Sequence, residues 1–575
     1  MLSGQLKPWF VATALIAVFT LQSFFASLQK STTGDEPAHI AAGLSYLETR
    51  IFNLNLQHPP LVKELSAATL LMAGVRFPRT KEAMAAVEAP PNASGAEWVV
   101  GNAIIGAGSN RVLFWARLPM ILVGALLGVF LYWFGRRIVG EAAALGAVFL
   151  YALDPNVIAH SYLVTTDVGL AAFALLFLFT LWRYIEQPGV ARLVWCGVAM
   201  GLMLGAKYSG VFLLPVAAAL MAAACVRRTA TVTARTAAPP RSRKRAAPLA
   251  EEVRGKLTID TARLYALARS LVVMGLIASM VIWALFLFRS PFLYFEGMQR
   301  VNADHSPVFN AYMAGELKPK FTSYFAVCYL LKEPLAAILL AGAGLRLLVR
   351  SGKVTRLGKL FLLIPPAVLF ASYTWGADDI GVRYIIPILP FAWLLGGLAL
   401  STLLRSASRG AQIAGVLFCA WLVVAAIGIY PDHLSYFNES ACALDAPSKI
   451  GWDGGTACGP AWLADSNLDW GQGLKQLKVW LDAHGQNRPL YLATFPNTPA
   501  DYYGLQFKAP VLEESPRPGL HVLSAHWIAT LPALRQKLRM PMPYWVPLAR
   551  PTAIVGHALY VYDVPGAPGQ PNASR

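Results

Sequence analysis

Apolar residues along this chain run in long unbroken stretches rather than at the three-and-four spacing of a soluble helix. The first, residues 9–28, follows Lys7 and has no small-x-small cleavage site, so a retained signal anchor is expected, with its amino end in the cytoplasm. Ten further stretches follow at roughly 112–135, 141–159, 165–185, 190–206, 208–226, 270–290, 323–346, 358–375, 384–405 and 411–430. Each has about the length that crosses a bilayer core. The pattern predicts eleven transmembrane helices, with three short or closely abutting spans leaving that count open by one or two.

Basic residues between the spans give an independent orientation test, because Lys and Arg collect on the cytoplasmic side. Arg136 and Arg137, Arg183 and Arg192, the Arg346–Lys359 cluster, and Arg405 and Arg409 all fall on the side assigned as inside. The 227–269 segment agrees most strongly. It holds eleven Lys/Arg against three Asp/Glu, includes Arg241-Ser-Arg-Lys-Arg245, and reads as a disordered cytoplasmic linker able to touch anionic headgroups. The outward segments are then 29–111, 291–322 and everything after Tyr430. The expected organisation is a membrane domain over 1–430, carrying an outward loop at 29–111 and the basic linker, and a small α/β periplasmic domain over 431–575. In that tail Asp469–His484 reads as a helix, with Trp470, Leu474, Leu477 and Leu481 on one face, and 488–495 and 552–564 read as strands.

Composition sharpens this picture without changing it. The chain is 56% hydrophobic and 14% charged, well below the roughly 25% charged residues of a soluble domain. A net charge of +18 would suit nucleic acid, but the positive residues lie in inter-span connections, which argues against that partner. Four cysteines (196, 225, 328, 419) sit within apolar runs. Cys442 and Cys458 flank a Gly/Pro-rich part of the tail and would pair if it faces an oxidising compartment. The Asn-x-Ser sequons at Asn92, Asn438 and Asn572 are assigned no role.

Candidate chemistry gathers at the outward face. Thr33-Gly-Asp-Glu-Pro-Ala-His39 puts adjacent carboxylates just after the first span, followed by Asn53-Leu-Asn-Leu-Gln-His-Pro-Pro60 and Lys63. A carboxylate at the membrane edge suits removal of a proton from an acceptor hydroxyl. Spacing alone, however, favours helix capping for Asp35, and also for Asp167 in Leu163-Val-Thr-Thr-Asp167. Lys207, Lys332 and Arg383 lie at or near the same face. A snorkelling side chain is the ordinary fate of each. Lys207 and Arg383 nevertheless run against the charge bias, and Lys332 falls within a span; a phosphate leaving group would account for all three.

These residues belong to a set of short motifs: Asp35-Glu-Pro-Ala-His39, His58-Pro-Pro60, Ala116-Arg-Leu-Pro119, Thr166-Asp167, Tyr324-Phe325 with Lys332-Glu-Pro334, and Gly381-Val-Arg-Tyr384 with Pro387. The tail adds His433-Leu-Ser-Tyr-Phe-Asn-Glu439, Asp465-Ser-Asn-Leu-Asp-Trp-Gly-Gln472 and Tyr502-Tyr-Gly504. In this order, over almost the whole chain, they resemble bacterial phospholipid-carrier-dependent glycosyltransferases of the C-type membrane superfamily. That group is related to protein O-mannosyltransferases and lipid A aminoarabinose transferases.

The resemblance implies Asp35 as catalytic base, Glu36 and Asp167 in support, and Lys207 and Arg383 on the carrier phosphate. His58, Lys63, Lys332 and Tyr384 complete the candidate substrate-binding set. It also implies an inverting transfer with no covalent enzyme intermediate. Two carboxylates and a phosphate could hold a divalent cation, but the nearer relatives work without one, so no cofactor is expected. Two departures weaken transfer of acceptor identity: the repeat domain of eukaryotic protein mannosyltransferases is missing, and Gly473 stands where an acid is expected.

The function expected is transfer of a monosaccharide from a polyprenyl-phosphate carrier to a periplasmic protein hydroxyl, lipid A or other glycan, in the bacterial inner membrane. A polyprenyl-linked lipid flippase or transporter is the rival. Charges at the membrane face rather than the midplane, and the lack of repeated halves, argue against it.

Overall fold

The computed structural model describes residues 7–90, 95–230, 255–304, 310–350, 352, 354–484, 488–496, 498–510, 516–539 and 545–565. The chain is an α-helical polytopic membrane protein with a small α/β region at its carboxyl end. Among the described residues seven helices are long and apolar enough to cross a membrane, and two bent pairs raise this to nine. Two shorter apolar helices, Val190–Ala206 and Tyr208–Ala224, lie where the remaining spans are expected.

Both bends have a local cause. Glu141–Ala152 and Pro155–Ser161 meet at 67°, and Tyr324–Lys332 and Leu335–Arg350 meet at 111°. Pro155 and Pro334 cannot continue the preceding hydrogen-bond ladder. Asp154 restarts the first pair by accepting from Asn156 N at 2.9 Å and Val157 N at 3.3 Å. Asn156 Nδ2 then donates to Lys332 O at 2.6 Å and Glu333 Oε1 at 3.0 Å, tying the two bends together.

Small residues let the helices approach closely. Glu141–Ala152 packs on Leu389–Leu404, where a Cβ at Gly397 would lie 2.2 Å from Ala143 O. The 29–111 segment contains four helices that hydropathy left unassigned: Glu36–Thr49, Leu61–Met72, Lys81–Glu88 and Ala96–Gly106. A Cβ at Gly101 would lie 2.0 Å from Pro37 O, so only glycine allows Ala96–Gly106 to sit against the start of Glu36–Thr49.

The boundary of the basic segment differs from expectation. Val226–Ala230 pairs antiparallel with Gly255–Ile259, and the next helix starts at Thr261 rather than near residue 270. Asp260 caps it through Arg263 N at 3.0 Å, and the long stems of Arg263 and Arg269 let helix continue where hydropathy falls. The rest of the linker, 231–254, and Asn92 and Asn572 lie outside the described residues.

In the tail a four-stranded sheet runs in the order Leu490–Ala493, Gly519–Ser524, Leu559–Val564, Ala553–Val555. The first pair is parallel and the others antiparallel. Leu474, Leu477, Leu492, Leu520, Val522, Leu559 and Val561 form its core against the Leu474–His484 helix. Cys442 and Cys458 are joined by a disulfide.

Candidate functional site

Asp35 stands just before the Glu36–Thr49 helix but does not cap it through its side chain. Its carboxylate instead accepts from Arg383 Nη1 at 2.5 Å and stays 26% exposed. Arg383 sits in the tight Val382–Ile388 turn that begins a span. Gly381 opens that turn at φ 135°, where a Cβ would lie 2.2 Å from Ser466 Oγ. Glycine is thus required on both conformational and steric grounds. Trp470 lies under the guanidinium, with Cζ 4.5 Å from its ring centroid. Arg383 Nε is buried without a hydrogen-bond partner among the described residues, a donor of the kind a bound ligand would satisfy.

Glu36, one residue on, is fully buried and does something different. Arg117 Nε donates to its Oε1 at 2.8 Å and Nη2 to its Oε2 at 2.6 Å. Thr33 N at 2.9 Å and Val164 N at 3.3 Å donate as well. The remaining Arg117 donors go to Ser27 O, Lys30 O and Ser31 O at 2.7–3.0 Å. Every oxygen and every N–H of the pair is occupied. Glu36 therefore fixes the 27–36 turn that presents Asp35, and its carboxylate is closed to a substrate.

Asp167 begins the Asp167–Glu186 helix and makes an ion pair with Lys207, Nζ to Oδ1 2.6 Å. Lys207 lies at the break between Val190–Ala206 and Tyr208–Phe212, and its ammonium is 4.2 Å from the Tyr384 ring centroid. A cavity of about 270 Å³ opens beside this pair, bounded by His58, Lys207, Tyr208, Ser209, Tyr373 and Tyr384. His58 and His39 face each other at 5.1 Å. Burial, reinforced by Lys63, holds His39 down at about 3; burial also lowers His58, with His39 and Lys63 adding to it. Both imidazoles are thereby held in the neutral form and add no positive charge beside the cavity.

Two of the expected substrate-binding residues are turned elsewhere. Lys63 is fully buried and donates to Asn55 O, to His58 O at 2.7 Å and to Tyr46 Oη at 3.3 Å, which binds it to the loop it belongs to. Lys332 donates to Leu434 O at 2.8 Å and Asn467 O at 2.5 Å and lies over Phe437. It secures the bent pair to the start of the tail. Asp35, Asp167, His58, Lys207, Arg383 and Tyr384 form the remaining connected set.

Sequence reasoning gave no role to Arg117 and put Trp470 on a helix face. The signal for the first was an arginine inside an apolar run, which needs a buried partner. None was visible for Trp470. Asp469 accepts from Gly471 N at 3.0 Å and from Ser524 Oγ, keeping 469–473 as a turn, and the helix starts only at Leu474.

The sequence model of the family described as dolichyl-phosphate-mannose-protein mannosyltransferase matches residues 100–237. That stretch contains Arg117, Asp167 and Lys207, and the family resemblance read from the motifs is met over it. Among solved structures, ArnT from Cupriavidus metallidurans bound to undecaprenyl phosphate is 12% identical, with 97% of this chain and 99% of that one covered and a TM-score of 0.45. The apo form of the same protein gives 13%, the same coverage and 0.46. The archaeal oligosaccharyltransferase AglB from Archaeoglobus fulgidus, in complex with an inhibitory peptide and a dolichol-phosphate, is 13% identical over 88% of this chain and 61% of that one, at a TM-score of 0.43. A search of curated proteins finds no match.

Proposed function

We propose that this protein is an integral-membrane glycosyltransferase that moves a monosaccharide from a polyprenyl-phosphate carrier to an acceptor hydroxyl, at the outer face of a bacterial inner membrane. The amino terminus is then cytoplasmic and the carboxyl-terminal α/β region periplasmic. The observation that carries the reading is Arg383: one Nη holds the Asp35 carboxylate, while the same turn supplies Tyr384 to the cavity of Lys207. A carboxylate able to act as base and a cation able to bind phosphate are thus neighbours at the edge of one cavity, which supports the reading.

In the reaction the acceptor oxygen attacks the anomeric carbon from the face opposite the phosphate. The new glycosidic C–O bond forms as the C1–O bond to phosphate breaks, and the bonding pair leaves with the phosphate. Arg383 and Lys207 neutralise the charge that grows there. Asp35, released from Arg383 as the phosphate claims that guanidinium, takes the hydroxyl proton. Asp167 orients Lys207, and Arg117 with Glu36 holds Asp35 in register. In the resting site each of the three carboxylates has a cationic partner, and the proposed mechanism relies on Arg383 and Lys207, rather than on a divalent ion, to meet the charge of the phosphate.

The test is release of labelled sugar from polyprenyl-phosphate donors by purified protein in liposomes. Asp35→Asn should lower turnover by about 10²–10⁴ while the melting temperature stays near wild type and donor affinity holds or tightens, since Arg383 no longer has to leave a carboxylate. Equal turnover in the two proteins would remove Asp35 from the mechanism, and lipid movement without turnover would favour a flippase.

A further inference from the structure

A second cavity, of about 230 Å³, lies between the Ala311–Lys318 hairpin, the 378–380 loop and the Ala525–Lys537 helix of the tail. Its chemistry is the reverse of the first. Asp378, Asp465, Tyr312, Tyr324, Trp527 and Thr530 supply carboxylates, phenols, an indole and a hydroxyl. No lysine or arginine lines it among the described residues. The nearby lysines are committed: Lys320 to Asp379 Oδ1 at 2.7 Å and to Ala377 O, and Lys537 to Asn310 Oδ1 at 2.8 Å. His526, also in the wall, accepts from Asp465 N at 3.2 Å through Nδ1, and burial holds it down at about 4, so it adds no positive charge.

Aromatic side chains accompany these polar groups, with His526 and Trp527 in the wall and Phe495 outside it. Phe495 stacks on His526 with ring centroids 3.5 Å apart, and Trp527 is set edge-on to both, with its Nε1 donating to Thr494 O at 2.9 Å. Flat aromatic rings next to carboxylate and hydroxyl acceptors match a sugar, which has apolar C–H faces and polar edges.

The wall is coupled to the transfer site by short links. Ser466 Oγ donates to Ile380 O, and Val382 N donates to Asn467 Oδ1 at 2.8 Å, binding the 465–467 turn to the strand of backbone that leads into Arg383. Burial raises the Asp465 carboxyl to about 6, against the hydrogen bond from Ser466 N and the charge of Arg383, with Asp35 adding to the rise.

We propose that this acidic, aromatic cavity is a carbohydrate-binding site for the acceptor, selective for neutral or cationic sugars against phosphorylated ones. The acceptor role rests on the glycosyltransferase reading; carbohydrate binding and its charge preference do not. The cationic cavity then takes the donor phosphate and the anionic one the acceptor, with Asp35 and Arg383 between them. Charge separation of this kind keeps the phosphate of the carrier out of the acceptor subsite, because like charges placed together oppose binding.

Photoreactive diazirine hexyl β-glucoside, its glucosamine counterpart and its 6-phosphate, irradiated with the purified full chain in nanodiscs, test the proposal by mass-spectrometric mapping. The neutral and amino probes should label peptides covering 311–319 and 525–534, with the phosphate probe at least about tenfold weaker. Thr530→Trp, which fills the cavity, should cut labelling about tenfold. Asp465→Asn should raise labelling by the phosphate probe several-fold, and asparagine tolerates the φ of 59° at that position. Labelling that ignores Thr530→Trp, or a phosphate probe that labels as well as the neutral one, overturns the cavity assignment. Donor hydrolysis without acceptor, measured on the same preparations, separates the two readings. Selective labelling without hydrolysis keeps the carbohydrate site and removes the transferase, and hydrolysis without selective labelling does the opposite.

Discussion

Glu36→Gln should damage this protein by unfolding its opening turn rather than by removing a chemical group. The side chains of Glu36 and Arg117 are 0% and 1% exposed, and two hydrogen bonds of 2.6 and 2.8 Å join them. Glutamine keeps the shape but removes the charge, leaving Arg117 positive in a buried site with only neutral partners: the amide oxygen, three backbone carbonyls and the Tyr162 ring. Breaking one partner of such a pair costs about 3–5 kcal/mol. At ~2 °C per kcal/mol for a large domain, the melting temperature should fall on the order of 6–10 °C. The assay is thermal unfolding in detergent, followed by fluorescence, for Glu36→Gln, Arg117→Met and the double variant. The double variant should lose less than the sum by about 1–3 kcal/mol, since each single change already dissolves the same pair. A Glu36→Gln protein that melts within a degree or two of wild type and yet has no turnover would refute this reasoning and return Glu36 to the chemistry.

The other expectations concern the donor site and the tail. Lys207→Met should raise the donor KM and lower kcat together, by about 10-fold or more overall, because the ammonium binds phosphate in both the ground and the transition state; steady-state kinetics with the labelled donor reads both. Treatment with EDTA should leave turnover unchanged, as measured in the same liposome assay, and loss restored by Mg²⁺ or Mn²⁺ would contradict the charge balance argued above. His557 bridges Asp432 at 2.8 Å and Asp453 at 3.3 Å; burial alone would lower it, but those hydrogen bonds outweigh burial and hold it up at about 9. A group raised in the fold contributes fully below its unfolded value of about 6.5 and fades as pH rises through about 9. Melting temperature should therefore drop between those limits, and His557→Gln should flatten that drop.

What the sequence disclosed followed from length and composition. Every apolar stretch became a helix or a bent pair, because the bilayer sets span length and burying apolar side chains needs no particular partner. What stayed hidden depended on partners distant in sequence. The Gly519–Ser524 strand is buried at all six positions, so it lacks the alternation that marks a strand with one wet face. The following helix carries Pro532 in its interior, which breaks the usual pattern. Lys63 and Lys207 look alike as lone cations near apolar runs. Backbone carbonyls of its own loop take up the first, and a carboxylate forty residues away turns the second toward a cavity. No local rule separates those outcomes.

Asp35 and Glu36 show how far adjacency can mislead, and why burial resolves their roles. Neighbours at a helix start point about 100° apart, so one carboxylate faces Arg117 and the interior while the other faces Arg383 and the open side. Three of the ion pairs at this end of the molecule form a series. Glu36–Arg117 is sealed, Asp167–Lys207 is 2% and 10% exposed beside the cavity, and Asp35–Arg383 is 26% and 11% exposed. A buried pair cannot exchange partners without stranding a charge, whereas a pair with water access can. Among these three, and on the proposed mechanism, Asp35 is the carboxylate able to surrender its cation to an incoming phosphate and turn to a proton. The same series assigns the sealed pair to holding the turn and the intermediate pair to orienting a lysine. If exposure governs the division, moving the seal should move the function. Ser31→Ala removes the hydroxyl that donates to Gly471 O at 2.6 Å and accepts from Leu474 N at 2.9 Å, loosening the turn beside Arg117 without touching any charge. That change should lower kcat several-fold and leave the donor KM near its wild-type value, because Asp35 is misplaced while Lys207 is not. A rise in KM at constant kcat would show that the turn serves donor binding instead, and the ordering by exposure would then fail as an account of which carboxylate acts as the base.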